Sequence, residues 1–124
     1  MQIRVYYEDT DVGGVVYYAN YLKFCERARS EVFFQRETTP YNEEGHFIVR
    51  HIDATYFASA KLGDMLDVST HLVLLKGVSF ILFQEITCKG KKLFSMEVEL
   101  VYVTKEGKVK RLGKEVKKLL EEVF

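Results

Sequence analysis

A chain of 124 residues has the length of one folded domain, and at that size it buries a little over ~60% of its unfolded surface without disulfide or metal staples. Hydrophobic residues make up 48% and aromatic ones 14%, which excludes a disordered chain. Eighteen basic and eighteen acidic side chains cancel, which argues against a general nucleic-acid or membrane-surface binder.

No apolar run reaches the ~18 residues of a membrane span, and no apolar signal-peptide core follows Met1. A single cytoplasmic domain over residues 1–124 is the expectation. Residues 2–8 alternate, with Ile3, Val5 and Tyr7 on one face and Arg4 and Tyr6 on the other, as a strand does. Next come three crowded carboxylates, Glu8, Asp9 and Asp11, and then Gly13 and Gly14. Asp and Thr serve as helix caps and turn formers, so a solvated turn is the plain reading. The chemical reading sets a carboxylate beside the unpaired N–H groups of a helix start, where negative charge is stabilised. No Lys-Ser/Thr follows the glycines, so a phosphate-binding loop is not supported.

Residues 18–35 change period. Tyr21, Cys25, Ala28 and Val32 form one helical row and Leu22, Arg29 and Phe33 its neighbour, with Glu26, Arg27, Ser30 and Glu31 on a polar face. Such a helix of ~18 residues is ~27 Å long, and its many aromatic residues suggest that much of its circumference is covered. Thr38, Thr39, Pro40 and Tyr41 end it.

The remainder reads mainly as strands. Residues 47–58 form one; His46 and His51, five apart, are expected on opposite faces. In residues 65–75, Leu66, Val68, Thr70, Leu72 and Leu74 face one way, and Asp67, Ser69 and His71 the other. After a turn at Gly77, residues 78–88 are apolar on both faces, as in a central strand or an interface. Lys89-Gly90-Lys91-Lys92 reads as a hairpin turn. Residues 93–104 set Phe94, Met96, Val98, Leu100 and Tyr102 against Ser95, Glu97 and Glu99. A turn at Glu106-Gly107 leads to a short amphipathic helix over 112–124. Closely spaced strands favour antiparallel hairpins, and one long helix is economically buried by a sheet curved around it. The fold class is therefore α+β.

Cys25 and Cys88 have no metal or redox spacing and read as small buried hydrophobes. The histidine spacing supports no metal site, and no Gly-x-Ser-x-Gly marks a serine nucleophile. Lys76, the cluster Lys89, Lys91 and Lys92, and Lys108, Lys110 and Arg111 serve solubility or meet the phosphates of an anionic ligand.

The run Tyr7-Glu8-Asp9-Thr10-Asp11-Val12-Gly13-Gly14-Val15-Val16-Tyr17-Tyr18-Ala19-Asn20-Tyr21, followed by Phe24, Glu26, Ala28 and Arg29, resembles the signature of the 4-hydroxybenzoyl-CoA thioesterase family of hotdog-fold proteins. Within it the chain is most similar to the small bacterial acyl-CoA thioesterases associated with the Tol–Pal system. Residues 56–68 resemble the family's second recurrent segment, with Ser59 where Pro is usual. The resemblance implies a hotdog fold, an antiparallel sheet of five or six strands wrapped around a long central helix.

It also implies hydrolysis of an acyl-CoA to free acid and CoA, with no cofactor and no metal. Asp11 matches the catalytic carboxylate, as nucleophile toward the thioester carbonyl or as base for a water. The backbone N–H of Tyr18, a position often held by His, would polarise the carbonyl. Gly14 and Val15 would lie beside it, Tyr7 and Asn20 would be pocket neighbours, and Lys76 would lie near the CoA nucleotide. Implied partners are acyl-CoA or an acyl-carrier protein and further copies of the chain, as dimer or tetramer. The alternatives are a hotdog dehydratase, which usually needs a His/carboxylate pair, and a non-enzymatic acyl-CoA or acyl-carrier-protein binding module.

Overall fold

A computed structural model describes all residues, 1–124. The elements in chain order are β1 (Gln2–Arg4), a single 3-10 turn (Tyr7–Asp9), α1 (Asn20–Phe34), β2 (His46–Tyr56), β3 (Met65–Leu75), β4 (Ser79–Cys88), β5 (Lys91–Val103) and α2 (Lys114–Val123). Five strands form one antiparallel sheet in the order β1-β3-β4-β5-β2. This is the α+β arrangement expected from the sequence, with five strands. The doubly apolar strand, β4, is central, between β3 and β5. No helix is long and apolar enough to cross a membrane.

The core lies between α1 and one face of the sheet. Alternate residues Phe80, Leu82 and Ile86 of β4 and Phe94, Met96, Val98 and Leu100 of β5 are buried against Tyr21, Phe24, Cys25 and Ala28 of α1. Tyr21 stacks on Phe94 with centroids 5.3 Å apart. Each of the Phe, Leu, Ile, Val and Met side chains contributes about 1.5–3 kcal/mol by leaving water. α2 closes the far end of this core through Leu120, with Phe124 against Phe33 and Phe80. The covered arc of α1 is narrower than its aromatic content suggests. Lys23, Glu26 and Arg27 face solvent, and Phe34 is 52% exposed.

Several boundaries and faces differ from the sequence reading. β1 stops at Arg4, because the buried Asp9 carboxylate accepts the Tyr6 N–H at 2.9 Å and bends 7–9 into a turn. α1 begins at Asn20, two residues later than expected. In β3 a bulge at Val73 reverses the alternation, so Leu75 packs inward while Leu74 turns out. In β2 a bulge at Arg50 cancels the odd spacing of the histidines. His46 and His51 therefore share the outer face, paired with Val103 and Glu99. The β4–β5 turn is only Lys89-Gly90, both at positive φ (50° and 79°), the geometry of a two-residue type I′ hairpin, and Lys91 and Lys92 belong to β5.

Gln84 brings a polar side chain between α1 and the sheet. Gln84 is fully buried and donates to the Cys25 carbonyl and the Thr70 hydroxyl, both at 2.9 Å, while its own oxygen accepts from Arg29 at 2.9 Å. Gln84→Met keeps the volume but strips all three partners. It is expected to lower the unfolding free energy by about 2–3 kcal/mol, read from the denaturant midpoint; an unchanged midpoint would show these bonds to be dispensable.

Candidate active site

Residues 9–20 form a tight excursion between the first turn and α1. Tyr17 N–H donates to the Asp9 carbonyl at 3.0 Å, and the Asn20 side-chain amide donates to the same oxygen at 2.9 Å. Within this clamp Asp11 N–H donates to Val15 O at 2.9 Å, and Gly14 N–H to Asp11 O at 3.0 Å. Gly14 sits at φ +81°, a conformation that side chains disfavour. One carboxylate oxygen of Asp11 accepts the Gly13 N–H at 2.8 Å, which fixes the side chain. The other makes no hydrogen bond within the chain and lies on the exposed surface of the loop.

The start of α1 supplies the opposite polarity. Its N-cap residue is Ala19, which has no side-chain oxygen to offer. The N–H groups of Tyr18, Ala19 and Tyr21 have no acceptor in the chain. Asn20 N–H donates to Tyr17 O at 2.9 Å, which fixes the peptide plane that carries the Tyr18 N–H. The Tyr56 hydroxyl donates to Tyr18 O at 2.8 Å and so fixes the following peptide. Burial pushes the Tyr56 hydroxyl above its ordinary value, which keeps it a donor. Unpaired N–H groups and the helix dipole together favour a negative charge at this spot.

These pieces meet in one cleft of about 410 Å3, lined by Asp11, Val15, Val16, Tyr18, Tyr21, Tyr56, Phe57, Ala58 and Ser59. The chain segment after β2 is tied to the first loop by Val16 N–H to Ala60 O and to α1 by Ala60 N–H to the buried Tyr21 hydroxyl, each at 2.9 Å. Burial also raises the Tyr21 hydroxyl. The cleft is thus a mostly apolar slot with one carboxylate and a group of backbone donors. That combination suits a neutral carbonyl compound that passes through an anionic intermediate.

The sequence-derived candidates divide. Asp11, Tyr18 and Val15 line the cleft together. Tyr7 and Gly14 lie on the other side of the Asp11 loop, beside a neighbouring depression that also touches Asp11. Asn20 does not line the cleft; it holds the loop to the helix. Lys76 is not brought to it. Tyr56 pairs with Phe94, whereas Lys76 follows Leu75, which pairs with Phe80 near the opposite end of β4 and β5. There Lys76 contacts Glu99 at 3.1 Å, and the Ser79 hydroxyl (2.8 Å) with Lys76 holds the Glu99 carboxyl below its usual range. None of the three histidines lines the cleft, so a single copy offers no His/carboxylate pair there. Tyr56 and Phe57 were not singled out as site residues, although they open the second recurrent segment.

A model of the thioesterase-like superfamily matches residues 5–120 of this chain. The acyl-CoA thioesterase YbgC of Helicobacter pylori is 48% identical over 114 residues, which cover 85% of this chain and 86% of that protein. The acyl-CoA thioester hydrolase YbgC of Escherichia coli is 41% identical over 106 residues, covering 82% and 77%. Among solved structures, a probable thioesterase from Bartonella henselae superposes with a TM-score of 0.85 at 34% identity, covering 91% of this chain and 97% of that one. A 1,4-dihydroxy-2-naphthoyl-CoA thioesterase from Synechocystis, at 23% identity and a TM-score of 0.86 over 97% and 93%, shares the fold.

Two measurements test this geometry. Asn20→Ala removes the second bond to Asp9 O and is expected to cost about 1 kcal/mol and to speed amide exchange at Tyr17. Unchanged exchange would show that the loop is held otherwise. Burial pushes the Cys25 thiol up to about 12, so it carries its proton through neutral and mildly alkaline pH. Iodoacetamide at mildly alkaline pH is therefore expected to label Cys25 only after unfolding; rapid labelling of the native chain would contradict this burial.

Proposed function

This chain belongs to the thioesterase-like superfamily, and we propose that it hydrolyses acyl-CoA at the cleft between the Asp11 loop and the start of α1. It is a hotdog-fold thioester hydrolase. The observation that carries the mechanism is the shared cleft of the Asp11 carboxylate and the unpaired Tyr18 N–H.

The thioester carbonyl oxygen takes the Tyr18 N–H, and the acyl group lies along Val15, Val16, Phe57 and Ala58. A water beside the free carboxylate oxygen of Asp11 adds to the carbonyl carbon and gives its proton to Asp11. The tetrahedral oxyanion is held by the backbone donor while it forms. The C–S bond then breaks, the CoA thiolate takes the proton from Asp11, and the free acid departs. Exposure of Asp11 to solvent favours this general-base role, since water reaches the carboxylate without displacing any side chain. No metal or cofactor enters the scheme; a thioester is already an activated acyl group.

A second copy completes the surroundings. β2 is an edge strand of eleven residues that pairs only with β5, and Ile48, Val49 and Tyr56 are about half exposed along it. An unpaired edge of this length is a template for a further strand. Antiparallel pairing of two β2 strands sets the Lys76 end of one copy beside the cleft end of the other. In such a homo-oligomer Lys76 serves the nucleotide phosphates of CoA in trans.

Asp11→Asn is expected to lower kcat on acyl-CoA by about 10²–10⁴-fold with KM nearly unchanged. Tyr18→Phe keeps the backbone donor and is expected to retain activity, whereas Tyr18→Pro removes it and should cost about 10²–10³-fold. Full turnover by Asp11→Asn would exclude this chemistry. A fall in Tyr18→Phe equal to that in Tyr18→Pro would assign the effect to the side chain instead.

A further inference from the structure

A second cavity, of about 320 Å3, lies between the C-terminal half of α1 and the sheet and shares no residue with the cleft. Tyr21 lines the cleft and Arg29 the cavity, ~12 Å apart along the helix, and the buried Phe24 and Cys25 fill α1 between them. The cavity wall is apolar, made by Phe33, Phe47, Phe80, Leu82, Leu100 and Phe124. Its volume falls near the lower end of the ~300–1,000 Å3 typical of small-molecule pockets.

One cation enters this wall. The Arg29 guanidinium is largely buried and takes part in no ion pair with a carboxylate. It makes a single hydrogen bond, to the Gln84 oxygen at 2.9 Å. Gln84 is itself locked by its bonds to Cys25 O and Thr70, so the guanidinium is pinned at one N–H. Its remaining donors, of the five a guanidinium carries, have no acceptor in the chain. Glu26, one turn away on the rim, is exposed and contributes charge at longer range without pairing. Burial lowers the pKa of Arg29, and the Glu26 carboxylate opposes that shift. The unpartnered donors are not sealed from solvent, and a planar fork of donors matches a carboxylate.

We propose that this cavity is a second ligand site, which binds a monocarboxylate with an apolar body, its carboxylate on Arg29 and its body against the Phe and Leu wall. A second charge on the ligand would face the apolar lining unpaired, so diacids and phosphate dianions fit poorly. The site shares no residue with the cleft of its own chain, although Phe47, Ile48 and Val49 of β2 line it, and its occupancy is measured directly rather than through turnover.

The probes are sodium octanoate and its uncharged counterpart octan-1-ol, titrated into the wild-type chain by calorimetry and by NMR. Octanoate is expected to bind and to shift the side-chain NH2 resonances of Gln84. Arg29→Met should weaken octanoate by about tenfold or more while leaving octan-1-ol unchanged. Ser30 also lines the cavity, on a helix face that is not fully buried, and Ser30→Phe fills the space while keeping Arg29; it should abolish octanoate binding. If Arg29→Met does not fold, Ser30→Phe decides. Absence of octanoate binding to the wild type, or equal affinity in Ser30→Phe, would overturn the proposal.

Discussion

The carbonyl oxygen of Asp9 accepts two hydrogen bonds, from the Tyr17 N–H and the Asn20 side chain, and the geometry of the candidate site depends on that junction. It ties the turn after β1 to the first residues of α1 and leaves the intervening loop closed upon itself. The loop then presents Asp11, while the helix start presents the N–H of Tyr18. Asp9 adds a further constraint, because its buried carboxylate caps the Tyr6 N–H. Of the three crowded acids, Asp9 does structural work at both its carbonyl and its side chain. Asp11 keeps one carboxylate oxygen free of hydrogen bonds within the chain.

The rest of the fold holds this junction rigid. α1 is anchored by Tyr21, Phe24, Cys25 and Ala28 against the inner rows of β4 and β5. Tyr21 joins core and cleft, since its ring stacks on Phe94 and its hydroxyl accepts from the N–H of the buried Ala60, next to Ser59 of the cleft wall. The N–H groups of Tyr18, Ala19 and Tyr21 have no acceptor in the chain, and an N-cap of Ala offers them no side-chain oxygen. A Ser or Asp at that cap would accept from the N–H of Tyr21 or Leu22 and leave the Tyr18 N–H free. The same helix carries Arg29 two turns later, held by the buried Gln84.

Much of this was legible in the residues. The rows of β4 and β5 and the helical period of α1 located the core, because each burial pattern repeats over many residues. The bulges at Arg50 and Val73 were not legible, since one extra residue changes faces without leaving a compositional mark. For the same reason the shared outer face of His46 and His51 could not be read from their spacing. The pairing of Asp11 with Tyr18 followed from a motif local in sequence. The remoteness of Lys76 did not, because strand pairing alone decides which end of the sheet a residue occupies. Tyr56 was overlooked because its role rests on a contact 38 residues away, with the Tyr18 carbonyl.

The central claim is that one thioester carbonyl meets the backbone donor at the start of α1 while Asp11 stands beside it. Infrared difference spectroscopy of a carbonyl-labelled acyl-CoA bound to Asp11→Asn reads this directly, before any bond breaks. The account predicts that the carbonyl stretch moves to lower frequency on binding and returns toward its solution value when the Tyr18 N–H is removed. A bound carbonyl at its unperturbed frequency would contradict it.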